Sequence, residues 1–395
     1  MRSTDNLTSP ENCRNPYPLY VEMRRERPVC HVEPGGLVAV SRYKDVEYVL
    51  KHPETFSSHG FRVAWEPEWV KDNPLAHGMV AQDGADHMRL RTAVSRAFTP
   101  VAINRLAAQV RENAAQLAEA LREKGEADFM DGFATPLPSR AMSAILGLDP
   151  SLERHYKRWT EAVVGVTPVP LSEEHAQYTR DTIQEMKRYM QQAIDERRHQ
   201  PKDDLLGLIV RGKGDGDTLS NSQMMALCFN LLTGGLETTS FFFSNAVRLL
   251  AERPDVYAQL RADRSLLPKF IDEVLRYDGP VRGLPRIVMQ DIELSGVRIE
   301  KGACVLLLVA SANRDETEFP EPDRFDLQRE RTGISFGYGS HYCIGAFLAK
   351  LEAQAGLEAL LDRFSGFQVL SERVVWNRSL ITSGPETMPV RFLTA

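Results

Sequence analysis

The chain has 395 residues, 43% of them hydrophobic and 26% charged, the balance of a globular protein with a large core. A formal net charge of -6 argues against nucleic acid or an anionic membrane as a partner. Five scattered cysteines, none in CxxC spacing, predict neither a disulfide framework nor a zinc site and fit a reducing, cytoplasmic setting.

Residues 1–15 are polar and lack the apolar core of a signal peptide, and no stretch is long and apolar enough to span a bilayer. Short strands are expected around Cys30 and over 37–40, joined by the turn signal Pro34-Gly35-Gly36, and then a helix over 43–50. Residues 56–83, with Trp65, Trp69, His77 and Met79, show no clear period; a loop so long is uncommon unless functional. Helical patterns cover 101–124, 176–198 and 223–252. Strand-like alternation returns at 291–299 and 305–309, residues 315–332 are polar and irregular, 346–364 is strongly helical, and 367–393 reads as short strands and turns. Length alone suggests two or three domains, but no linker is visible. The expectation is one mainly α domain over 1–395 with small β-sheets.

The densest chemical signal is Phe336-Gly337-Tyr338-Gly339-Ser340-His341-Tyr342-Cys343-Ile344-Gly345. Here a glycine-rich loop presents one cysteine just before a helix, whose N-terminal N–H groups and macrodipole favour a thiolate. Gly337, Gly339 and Gly345 permit tight turns and close approach of a flat ligand. Such a loop suits an iron-ligating thiolate. Within 223–252, which is too apolar for a surface helix, lies Gly234-Gly235-Leu236-Glu237-Thr238-Thr239. Two glycines and two threonines there predict a local opening of the helix beside an acid and a hydroxyl.

The cysteine loop resembles the haem-binding signature of the cytochrome P-450 family, F-G-x-G-x-H-x-C-x-G, at every fixed position. The central segment is similar to that family's [A/G]-G-x-[D/E]-T motif, and the resemblance runs from about residue 16 to 392. It implies the mainly helical P-450 fold, with haem b between the central helix and the cysteine loop and Cys343 as axial iron ligand. It assigns proton relay to Glu237 and steering of the oxygen intermediate to Thr238. Phe336 should shield the sulfur, beside Gly345. His87 and Arg91, four apart on one helical face, resemble the family's H-x-x-x-R contacts to haem propionates; Arg286 and His341 match two further propionate positions. Glu273-Val274-Leu275-Arg276 resembles the E-x-x-R element, with Arg324 as the expected third member of a buried structural triad.

The implied reaction inserts one atom of dioxygen into a mostly apolar organic substrate, a hydroxylation or epoxidation in bacterial secondary metabolism. No dinucleotide-binding GxGxxG follows a strand, so electrons are expected from separate partners, a ferredoxin and its NAD(P)H-dependent reductase, acting on a monomer. Arg96, Arg329, Arg331 and Lys350 are candidates for their docking face. Arg282 is expected near the substrate pocket, at the surface or on the propionate side. Pocket walls are expected from 56–83, 159–171, Leu231, 281–284 and 380–382. A peroxide-driven peroxygenase and a non-enzymatic haem sensor are the competing functions. Glu237-Thr238 argues against the first, and would have no task in the second.

Overall fold

The computed structural model describes residues 6–394 apart from 168, 171 and 213–217. The first five residues of the polar N-terminus, and residues 168 and 171 of the expected 159–171 wall, lie outside them. The described residues are mainly helical with four small sheets.

The longest helix, Asn221–Glu252, begins with a reciprocal cap in which Ser220 and Gln223 satisfy each other's backbone N–H groups. At 32 residues it is about 48 Å long. It is apolar nearly all round, as a helix enclosed by others must be. No break interrupts it: the expected opening at Gly234–Thr239 is instead continuous helix, with the Thr238 hydroxyl donating to the Gly234 carbonyl at 2.7 Å. The two glycines differ in purpose. A Cβ on Gly235 would fall 2.5 Å from Met142 Sδ, so the Pro136–Leu146 helix packs directly on its backbone. A Cβ on Gly234 would meet nothing within 4 Å.

The helix after the cysteine, Ala346–Arg363, crosses the central helix at Gly356, where the Phe243 ring takes the place of a side chain. Phe243 meets Phe133 edge-on, and Phe133 stacks on Phe129, building one large cluster of the core. A second large cluster gathers around Met142, Trp159, Met186 and Leu232, and two smaller ones pack on the faces of the main sheet.

The main sheet has five strands in the order Val29–Val32, Leu37–Val40, Cys304–Leu307, Leu284–Val288, Phe56–Ser57. All pairs are antiparallel except Leu37–Val40 with Cys304–Leu307. Arg286 therefore sits in an inner strand, opposite Val305. A second sheet joins Glu126–Asp128, Pro389–Leu393 and Gly366–Val369.

Three sequence expectations are refined. Residues 101–124 form two helices, Pro100–Asn104 and Ala107–Lys124. Residues 291–299 fold as a hairpin, Ile292–Leu294 with Val297–Ile299, turning at Ser295 and Gly296 with positive φ. Residues 56–83 are no bare loop: they hold a strand, the helix Gly60–Trp65 and two 3-10 turns. Among the described residues no helix is long and apolar enough to cross a membrane.

Candidate active site

Cys343 is held by its backbone. Its N–H donates to the Phe336 carbonyl at 2.8 Å, closing a loop whose turns use positive φ at Gly337 (74°) and Gly339 (65°). Gly345 caps the following helix and offers its N–H to the sulfur, and its missing Cβ would lie 3.9 Å from Sγ. Burial nevertheless raises the thiol pKa, outweighing Gly345 and the more distant Arg91, which lower it. A bound metal ion would offset that penalty, since a coordinated thiol gives up its proton outright. Among the described residues no group of three or more His, Cys, Asp or Glu gathers to hold a metal, so Cys343 belongs to no protein-only metal site.

Behind the loop stands the E-x-x-R pair. Arg276 grips Glu273 through Nε and Nη2, both at 2.8 Å, and its Nη1 donates to the carbonyls of Asn313 and Pro322. The Asn313 side chain then accepts from the Ile334 N–H and donates to Ser335, which donates to the Leu275 carbonyl. The pair is thus tied to the residues that lead into Phe336. The third arginine is Arg329, not Arg324. Arg329 Nε lies 3.4 Å from Glu273 Oε1 and its side chain is 10% exposed. Arg324 turns its guanidinium out to Glu321, 61% exposed, and contributes only its carbonyl to Arg276.

The cavity above the cysteine is lined by Cys343, Phe336, Gly345, Thr238, His87, Arg91, Arg286 and His341, so seven of the eight other predicted cofactor and catalytic positions share one space with Cys343. At its charged corner the His87 and His341 rings lie 4.1 Å apart. Burial, then His341 and Arg91, push His87 down to about 4, so this imidazole is neutral at pH 7. His341 Nε2 lies 3.0 Å from Ser58 Oγ and 3.6 Å from Asp83. Although burial opposes it, hydrogen bonds from His341, Ser57 and Ser58 hold Asp83 well below the usual carboxylate range. Arg286 is 4% exposed, and its side chain donates only to the Pro285 carbonyl. It makes no ion pair among the described residues, and burial lowers it to about 10 despite Asp83. Gly60 makes room for this strand, because a Cβ there would come within 2.6 Å of the Arg286 nitrogen.

Glu237 stands apart from the cavity wall. It is buried, and desolvation, then Glu161 and Glu386, push it up to about 8 against a hydrogen bond from Thr382. Thr238, next in the chain, does face the cavity. Sequence reasoning missed a second such acid. Glu352 lines the cavity from the cysteine-bearing side, 1% exposed, with Oε1 unpartnered. Burial pushes it up to about 8, against a hydrogen bond from Thr239. A trace of it was visible in the sequence: a lone glutamate on the helical stripe of Leu348 and Gly356.

Other expected walls moved. Leu231, Met79, Val281 and Leu284 line the cavity; Trp65, Trp69 and residues 380–382 do not. Trp65 stacks near Phe61 in the core and Trp69 donates to the Thr167 carbonyl. Arg282 is neither at the surface nor on the cavity wall: it is 1% exposed and bonded to the Tyr20 hydroxyl and the Asn12 carbonyl. Of the docking candidates, Arg329 is consumed by Glu273, Arg331 pairs with Glu318 and Lys350 with Asp272; Arg96 is exposed and makes no ion pair among the described residues.

The sequence profile described as Cytochrome P450 matches residues 163–379, more than half of the chain. This chain belongs to the cytochrome P450 family. It is similar to Cytochrome P450 109 of Bacillus spizizenii, 34% identical with 98% of this chain and 94% of that protein covered. It is also similar to the cytochrome P450 monooxygenase PikC of Streptomyces venezuelae, 34% identical over 96% and 91% of the two chains. The solved structure of cytochrome P450 CYP109Q5 from Chondromyces apiculatus superposes with a TM-score of 0.89 at 36% identity, covering 99% and 98%. This P450 is a monooxygenase whose family cofactor is haem and which draws on redox partners. The residues present fit that cofactor. Arg286 is a buried cation with no ion pair among the described residues, Gly234 leaves open space, and Cys343 lines the same cavity as both.

Proposed function

We propose that residues 1–395 work as one haem unit in which Cys343 ligates the iron of haem b. His87, Arg91, Arg286 and His341 receive its propionates, and Phe336 and Gly345 flank the sulfur. The observation that carries this reading is Arg286: a buried cation that makes no ion pair among the described residues, in the same cavity as Cys343. Leaving it unmatched costs far more than pairing it, so the site asks for an anionic ligand. When bound, haem supplies dioxygen activation, so that substrate, O2, two electrons and two protons become oxygenated substrate and water.

The chain's own part is proton handling and exclusion of water. Glu237, held near 8, keeps a proton at neutral pH behind the central helix. Thr238 presents its hydroxyl oxygen to the cavity while its proton is committed to the Gly234 carbonyl. Glu352 holds a second proton beside Thr239. Two carboxyls kept neutral at pH 7 beside the central helix can supply protons to oxygen reduction. That provision suits oxygen reduction with external electrons, and neither a peroxygenase nor a sensor needs it. The substrate is a mostly apolar small molecule of secondary metabolism, hydroxylated or epoxidised. The donors are a ferredoxin and its NAD(P)H-dependent reductase, and the protein acts as a cytoplasmic monomer.

Reconstitution with haem, then turnover under 18O2 with ferredoxin, reductase and NADPH, tests this. One labelled oxygen per product is expected, and the Cys343→Ser protein should lose the thiolate-type Soret spectrum. Haem that fails to bind, or a spectrum unchanged in Cys343→Ser, overturns it. Equal rates with hydrogen peroxide alone would favour the peroxygenase.

A further inference from the structure

The central helix turns three polar side chains into the cavity: Asn230, Thr238 and Thr239. Two are spoken for, since Thr238 donates to the Gly234 carbonyl and Thr239 is buried beside Glu352. Asn230 is not. It is half-buried, and its carboxamide has no hydrogen-bond partner among the described residues. Its position is tightly set. A Cβ on Gly78 would sit 3.0 Å from Asn230 Cβ and 3.2 Å from the Ala226 carbonyl, so the 3-10 segment around Gly78 presses on the helix at this point.

Asn230, Gly234 and Thr238 follow one another at intervals of four, hence along one stripe of the helix. At 1.5 Å per residue, Asn230 stands about 12 Å along the axis from the threonine. Gly234, with open space before it, keeps the stripe between them bare. The facing walls are apolar: Phe61, Met79, Val80, Val281 and Leu284. The cavity's cations lie elsewhere, at the charged corner and beside the cysteine loop.

We infer that Asn230 is a specificity-determining residue that hydrogen-bonds a neutral oxygen, a ketone or an alcohol, on an otherwise apolar substrate. A carboxamide both donates and accepts, so it takes either group, and it carries no charge to attract a carboxylate. Held at that end of the stripe, the oxygen places the far end of the molecule near Thr238. The group recognised is therefore several bonds from the carbon oxidised. This inference rests on the haem-monooxygenase reading of the same cavity.

The test uses haem-loaded protein and three rigid probes of one skeleton: 4-phenylcyclohexanone, phenylcyclohexane and 4-phenylcyclohexanecarboxylic acid. Dissociation constants come from Soret titration and oxidation sites from product analysis. The wild type should bind the ketone about five- to tenfold more tightly than the hydrocarbon, the worth of one good hydrogen bond, and more tightly than the acid. Oxidation should fall on the phenyl end. In Asn230→Leu the ketone preference should vanish while hydrocarbon binding holds, and the oxidation site should scatter. Asn230→Ser, which keeps a hydroxyl, should recover part of the preference; it also serves if the leucine variant loses haem. A wild type that binds ketone and hydrocarbon alike, a preference that survives in Asn230→Leu, or tighter binding of the acid overturns the inference. Each of these leaves the haem reading intact, whereas protein that binds no haem at all defeats that reading first.

Discussion

Two kinds of buried glutamate divide the labour of this molecule. Glu273 is 4% exposed and meets two guanidiniums, Arg276 and Arg329, plus the Asp326 N–H. Glu352 is 1% exposed and Glu237 8%, and neither meets a cation among the described residues. Matched charge builds rigid structure, here the brace behind the cysteine loop. Unmatched carboxyls are driven to the neutral form, which is the state the proposed proton supply requires. Burial is common to all three residues, and the partner decides the role.

The largest effect should come from breaking the matched site. Glu273→Ala strands Arg276 in the interior, and the expected loss is about 3–5 kcal/mol of stability. A urea melt checks it, and haem retention should fall in parallel, because the Asn313–Ser335 link to the cysteine loop starts from Arg276.

Removing an unmatched acid should do the opposite. For Glu352 the folded pKa, about 8, lies above its ordinary value of 4.5. Its stability is complete below about pH 4.5 and is lost as pH rises toward 8, because only the unfolded chain ionises in that window. Glu352→Gln does not titrate. Its advantage over the wild type should be near zero at pH 4.5 and reach about 2–4 kcal/mol at pH 8. Melts at the two pH values decide this, and a variant less stable at pH 8 would mean that the carboxyl is matched by something other than Thr239.

Glu237→Gln keeps shape and neutrality but removes the transferable proton. Substrate affinity should hold while product formation per electron consumed falls, with turnover down on the order of 100-fold. Coupling efficiency is the measurement, and unchanged coupling would move the proton supply to Glu352 alone.

Much of this was legible in the sequence, for identifiable reasons. The cysteine loop needs glycine at fixed turns, and Gly337 and Gly339 indeed carry positive φ. His87 and Arg91 share a face because Gly84–Val94 is a helix. The central helix declared itself by its apolar length. What escaped depended on how side chains turn in three dimensions. Glu352 looked like any glutamate on a helix until the fold enclosed it. Arg282, in a loop beside the cavity, turns instead to Tyr20, 262 residues away in the chain. Residues 56–83 have no single period because they change structure every few residues.

Arg324 and Arg329 sharpen the comparison with the smallest effect. They lie five apart in an irregular polar segment, where no helical or strand period says which side chain points inward. The chain reverses at Glu321, whose φ is 45°, and the guanidinium of Arg324 stays outside with Glu321 at 3.1 Å. Exposed pairs of this kind contribute little. Arg324→Ala should therefore cost under about 0.5 kcal/mol, since its carbonyl, the atom Arg276 uses, survives the substitution. Arg329→Ala removes a nearly enclosed cation from Glu273, together with donors to the Pro320 and Glu321 carbonyls, and should cost about 1–3 kcal/mol. Paired melts of the two variants read the difference directly. Equal losses would return Arg324 to the brace, and the division between matched and unmatched glutamates would then rest on Arg276 alone.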